Sequence, residues 1–202
     1  MKRALILACA LLAAGCGNAK DEGISGGGNV IGRTVTVYSL TADPGSANRS
    51  FVDGEKLALS DAGGKAGEFA INFTSLDLGT DEDAQAEATR RAISDPQVIA
   101  AIADATRVTI PLFNAAGILQ VAPSGDTSLT SNPNELPSGK PTVGGLEGAV
   151  PADFAERYEA AFKRAPDQNA ENGYRAMAAV LAAIKTAGAA GNDRTRVIDS
   201  YL

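Results

Sequence analysis

Histidine and tryptophan are absent from the 202 residues, and cysteine occurs twice. Without histidine the chain lacks the side chain best suited to general-base work near neutral pH and the commonest nitrogen ligand for metals. No phosphate-cradling glycine loop of the P-loop type occurs either. An enzyme is therefore not expected, nor a cofactor or a metal. The acidic run Asp81–Asp83 lacks the spaced oxygens of a calcium loop and reads as the start of a helix. Positive charge is also short. The net charge is −6 with no basic patch, which argues against a nucleic-acid partner. What remains is 45% hydrophobic and 21% charged, an ordinary globular balance.

Both cysteines lie near the start. Lys2 and Arg3 precede the apolar run Ala4 to Ala14, which is too short to cross a bilayer as a helix. The run ends in "LLAAGC", Leu11 to Cys16. These residues resemble the lipobox of bacterial lipoproteins, with Ala13 where leucine is commoner. The resemblance implies that residues 1–15 are a signal peptide and that Cys16 is lipidated after cleavage. The expected location is the outer side of the cytoplasmic membrane, anchored by lipid. Cys9 leaves with the peptide, so the mature chain has no disulfide and depends on its core. Loss of Lys2 and Arg3 takes two positive charges from a net −6 and leaves −8. Residues 16–32, polar and glycine-rich, read as a flexible tether.

Residues 33–130 alternate between two periods. "TVTVYSL" (Thr34–Leu40), "EFAINFTSLD" (Glu68–Asp77), "VIAAIA" (Val98–Ala103) and "ILQVAPSG" (Ile118–Gly125) read as strands with an exit loop. Between them the pattern is helical. Phe51, Ala58 and Ala62 share one face, and Gly63–Gly64 stops that helix. Acids at Asp81–Asp83 suit a helix start, Ala84, Ala88 and Ala92 make a narrow face, and Pro96 bars continuation. Four strand–helix alternations with short links predict an α/β lobe with a parallel sheet of four or slightly more strands. Ligands of such sheets sit beyond the carboxyl ends of the strands. The pattern lapses over residues 131–150, rich in proline and glycine. After Pro151 it is helical again, with Phe154, Tyr158 and Phe162 on one face and a stripe of Tyr174, Met177, Ala178, Leu181 and Ile184.

Several of these segments resemble periplasmic leucine/isoleucine/valine-type binding proteins, the substrate-binding lipoproteins of branched-chain amino acid ABC transporters. They are "FVDGEKLALSDAGGKAGEFAINFTSLD", "AEATRRAISDPQVIAAI", "IPLFNAAGILQVAPSG" and "FAERYEAAFKRAPDQNAENGYRAMAAVLAAIKTAG". The resemblance implies a Rossmann-like lobe of a two-lobed clamp, an amino-acid-like or amide ligand, and ABC permease subunits as partners. It also implies a departure. Most of a second lobe is expected to be missing between Thr142 and Pro151, so residues 131–150 are a junction replacing lobe two, with C-terminal helices over 151–202. The family's end is also expected to be lacking after Leu202. Ligand binding is then weak or lost, and a homodimer of half-clamps is a further expectation. A different class of function stays open: a shortened, non-transporting lipoprotein with a structural or protein-interaction role, or a decayed fragment. Where the family carries a serine-rich turn, "AIADATRVTIP" places Asp104, whose charge would repel a substrate carboxylate. The ligand-binding residues matched by position are Thr106, Ser124 and Thr127, with Thr41 in the first loop.

Overall fold

The β-branched alternation of Thr34–Thr41 forms β1, the middle of a six-stranded sheet. This computed structural model describes residues 28–42, 46–123 and 136–202. The strand order is β2-β3-β1-β4-β5-β6. β2 is Lys65–Ala66, β3 Phe69–Asp77, β4 Val98–Ala103, β5 Leu119–Val121 and β6 Val143–Gly144. Every pairing is parallel except that of β2 with β3. The sheet is thus the expected parallel α/β layer, enlarged by a two-residue strand at each margin.

The helices are α1 (Ser46–Asp61), α2 (Glu82–Ile93), α3 (Thr109–Ala115), α4 (Phe154–Phe162), α5 (Gln168–Thr186) and α6 (Arg194–Tyr201). Side-chain alternation along β1 sorts them into two layers. Val35 and Val37 enter a core with residues of α1, α4, α5 and α6, including Phe51, Tyr158, Met177, Ile184 and Val197. Leu40 enters a second core with Ala92 of α2 and Phe113 of α3. α2 starts as its sequence suggests: the Asp81 carboxylate accepts from the Ala84 N–H at 2.8 Å and satisfies a donor the helix leaves unpaired. Its packing face takes in Ala92 and the half-buried Ala88 of the expected alanine row and adds a threonine. Thr89 is buried beside Ala92, and its hydroxyl satisfies itself on the Gln85 carbonyl at 2.7 Å.

The helices after Pro151 are packed on the lobe, not loosely attached to it. α4 and α5 lie against α1 through an aromatic cluster, with Phe154 edge-on to Tyr174 and Tyr158 tilted on Phe162. Polar bonds fix the margins of that contact. Tyr174 donates to Asp61 at 2.9 Å, Arg157 pairs with the same carboxylate, and Arg164 reaches Asp53 and Ser50, each at 2.7 Å. The approach to β1 is held as well. Val30 is buried, its N–H donates to the Asn192 carbonyl, and Asn192 Nδ2 returns a bond to the Val30 carbonyl.

The proline- and glycine-rich stretch, read from sequence as a junction, carries β6. Val143 and Gly144 pair in register with Gln120 and Val121 of β5. Buried Asn114 of α3 holds the approach: Nδ2 donates to the Lys140 carbonyl at 2.8 Å and to Thr142 Oγ1 at 3.1 Å, while Oδ1 accepts from the Ser138 N–H at 2.8 Å. Tyr201 of α6 holds the exit, donating to the Gly145 carbonyl at 2.5 Å. Its ring fills the space beside Gly144, where a Cβ would come within 2.2 Å of it.

Candidate functional site

The chain leaves β1 toward β3 on one side and returns from β3 to β4 on the other side of β1. β1 and β4 are therefore neighbours whose connections depart in opposite directions, and the rule for open α/β sheets places a crevice beyond their carboxyl ends. Thr41–Ala42 stand at the end of β1 on one side of that crevice and Asp104–Thr106 at the end of β4 on the other. Thr41 and Thr106, both expected at a ligand, are brought to adjacent strand ends. Ser124, Thr127 and Cys16 lie outside the described residues.

Hydroxyls at the crevice are already engaged. Thr41 Oγ1 donates to Asn48 Oδ1 of α1. Thr106 Oγ1 donates to Gln85 Oε1 at 3.0 Å and accepts from the backbone N–H groups of Val108 and Thr109 at 3.2 and 3.1 Å. Thr106 thus caps the turn that opens α3. Thr109 Oγ1 in turn donates to the Asp104 carbonyl at 2.6 Å.

Asp104 is the charged group of the crevice. Its side chain is partly buried, and burial raises its pKa from the ordinary value, while a hydrogen bond from the Ala42 backbone N–H works in the opposite direction. Among the described residues no lysine or arginine forms an ion pair with it. Beneath it lies Gln120 of β5, fully buried. Gln120 Nε2 donates to the carbonyls of Ala103 and Asp104 at 3.2 and 3.0 Å, and Oε1 has no donor. The described strand exits and first helical turns that follow β1, β3 and β4 carry Asp77, Asp81, Glu82, Asp83 and Asp104 against Arg49 and Arg107. The strand ends are therefore negative.

Sequence reasoning missed one buried carboxyl under this region. Glu55 of α1 is fully buried against the face of β1 that carries Ser39. The Ser39 hydroxyl lowers its pKa somewhat, yet the two fall short of hydrogen-bond geometry, and neither carboxyl oxygen has a partner. Burial dominates and pushes Glu55 well above the usual carboxylate range, which favours its neutral form. The signal was present: Glu55 stands four residues after Phe51 and three before Ala58, on the apolar face of its own helix.

Cavities among the described residues lie mostly on the flanks. One of about 620 Å³ runs between α1, β2 and α5 past Lys65, Tyr174 and Lys185. Another of about 570 Å³ lies beside α3 and α6, along Thr142 and Ile198. A third, of about 320 Å³, reaches Asp77 and Gly79 at the exit of β3. The first two lie beside packed helices and are not lined by the residues that follow β1 and β4.

No family model matches the sequence, and no curated protein matches it. The fold is similar to solved structures. One is a leucine binding protein from Thermotoga maritima, at TM-score 0.63 and 13% identity over 83% of this chain and 87% of that one. A second is an ABC transporter solute binding protein from R. palustris in complex with benzoate, at TM-score 0.61 and 14% identity over 83% of this chain and 85% of that one. A third is a branched-chain amino acid transporter substrate binding protein from Streptococcus pneumoniae in complex with isoleucine, at TM-score 0.60 and 10% identity over 83% and 87%. The mostly parallel sheet flanked by helices is the fold of a periplasmic-binding-protein lobe.

Proposed function

We propose that this chain is the extracytoplasmic solute-binding component of an ABC importer of the branched-chain amino acid or amide type, held at the membrane by lipid on Cys16. The observation that carries the reading is the shared fold: 83% of the chain follows solute-binding proteins described with leucine or isoleucine. The crevice at the carboxyl ends of β1 and β4 supports it, because that is where an open α/β sheet receives a small molecule.

The same reading includes impaired capture. A clamp that encloses its ligand at micromolar affinity has about −8 kcal/mol of binding free energy. One wall of the clamp supplies a fraction of the contacts and leaves the ligand wet, which brings affinity toward the millimolar range, about −4 kcal/mol. Calorimetry of the purified chain against leucine, isoleucine, valine and small amides tests this. Millimolar binding is expected, and a micromolar constant for any of them overturns the impairment.

The second reading, a non-transporting lipoprotein with a protein-interaction role, draws support from Thr106. Its hydroxyl is spent on Gln85 and on the opening of α3 rather than left free for a solute. Co-purification of permease subunits with the tagged chain would favour transport over this alternative.

A further inference from the structure

Asp104 occupies the β4 side of the crevice with an unbalanced carboxylate. A half-buried anion in such a place calls for a cation or a strong donor. Its backbone neighbour Ala42 gives one N–H. No described lysine or arginine pairs with it, and Arg107, nearest in sequence, is exposed and pairs with no described carboxylate. The groups around it do not compensate. The acceptor Gln120 Oε1 lies buried with no donor, and its Nε2 is turned to the Ala103 and Asp104 carbonyls. The Thr106 hydroxyl hydrogen points to Gln85 and the Thr41 hydroxyl hydrogen to Asn48. Among the described residues the crevice therefore presents the Asp104 carboxylate, and the hydroxyl donors of Thr41 and Thr106 are turned away from it. A ligand carboxylate would meet repulsion there and find few N–H or O–H groups to offset it. An ammonium would find the opposite.

We propose that Asp104 sets the charge class of the ligand: this lobe takes a small aliphatic amine without a free carboxylate, an amino amide or alkylamine, through an ammonium–Asp104 pair. The inference rests on the solute-binding reading and narrows it. Leucine, benzoate and isoleucine, named with the three similar structures, each carry a carboxylate; the ligand assigned here does not.

Four probes on related skeletons separate the charges: leucine, leucinamide, 3-methylbutylamine and 4-methylpentanoate. Each is titrated to millimolar concentration into the isotope-labelled full chain, followed by amide chemical shifts. Leucinamide and 3-methylbutylamine are expected to bind about tenfold more tightly than leucine, the size of one charge-assisted contact, and 4-methylpentanoate not at all. Asp104→Asn keeps an acceptor for the Ala42 N–H and removes the charge. It is expected to erase the preference with an unchanged amide spectrum elsewhere. If leucine or 4-methylpentanoate binds as well as leucinamide, the assignment to Asp104 fails while solute binding stands. If the preference survives in Asp104→Asn, it also fails. If none of the four shifts any resonance, both this inference and the solute-binding reading are overturned.

Discussion

Gly54 of α1 and Gly173 of α5 face each other where the two helices cross. A Cβ on Gly54 would lie 2.0 Å from the Ala170 carbonyl oxygen, and one on Gly173 would lie 2.0 Å from that of Phe51. Backbone meets backbone at this point, with no flexible side chain to yield. The close approach lets Phe51, Tyr174 and Met177 join one core and fixes α5 onto the lobe.

Gly54→Ala and Gly173→Ala are therefore expected to force the helices apart. The cost of such overpacking is about 1–3 kcal/mol, with the upper end expected because the obstacle is main chain. Urea unfolding measures it. A loss below half a kilocalorie in both variants would mean that the crossing is looser than described.

Glu55 gives the fold a pH dependence of definite sign. Its folded pKa is raised above the ordinary 4.5, so the folded state keeps a proton that the unfolded chain releases. The stability this proton brings is complete below pH 4.5 and is lost as pH rises toward the folded value. Glu55→Gln preserves shape without a titrating group. It is expected to be more stable than the parent at pH 8, by about 1–3 kcal/mol, and to flatten the slope of stability against pH. Parallel curves for parent and variant from pH 4 to pH 8 would refute this.

Asn114 and Tyr201 grip the two ends of β6. Asn114→Ala leaves the Lys140 carbonyl, the Thr142 hydroxyl and the Ser138 N–H without that partner. A loss of about 1–3 kcal/mol is expected. Hydrogen exchange should show where it falls: the amide of Gln120, which donates to the Thr142 carbonyl, and that of Ala122, which donates to the Gly144 carbonyl, should lose protection first. Burial and the nearby Glu147 raise Tyr201 to about 12, so alkaline titration should destabilise the fold between pH 10 and 12, where the unfolded tyrosine ionises first. Tyr201→Phe should make that alkaline slope shallower, with Tyr38, Tyr158 and Tyr174, also raised by burial, supplying the remainder.

Cys16→Ser removes the thiol that lipid attachment needs. Membrane-fraction association and incorporation of labelled palmitate by cells expressing the chain are both expected to be lost. Unchanged membrane association of the variant would show that something else holds the chain there.

The central strands were legible in the sequence because each is an uninterrupted apolar or alternating run. Val98–Ala103 appears with the bounds its pattern suggests. The marginal strands were not. Lys65–Ala66 and Val143–Gly144 are two residues each, too short for any period, and their pairing comes from neighbours already in place. Helix α1 begins at Ser46, five residues before the apolar face starts at Phe51, because its first turn lies beside the strand ends rather than on the core. At the crevice, the location of Thr41, Asp104 and Thr106 followed from strand order. What their hydroxyls bind did not, since Gln85 is 21 residues from Thr106 in sequence and only the packing of α2 beside α3 joins them.

A strand arriving from another chain would meet the sheet at two margins, and beside β3 the two residues of β2 cover only Phe69 and Ala70, leaving Asn72–Asp77 with no described strand beyond them. At one it meets Lys65, whose charge resists desolvation. At the other the Tyr201 ring stands over Gly144. Main-chain pairing between copies crowded at high local density is thus hindered at β2 and β6, and the uncovered run of β3 is the one long edge left to it among the described residues.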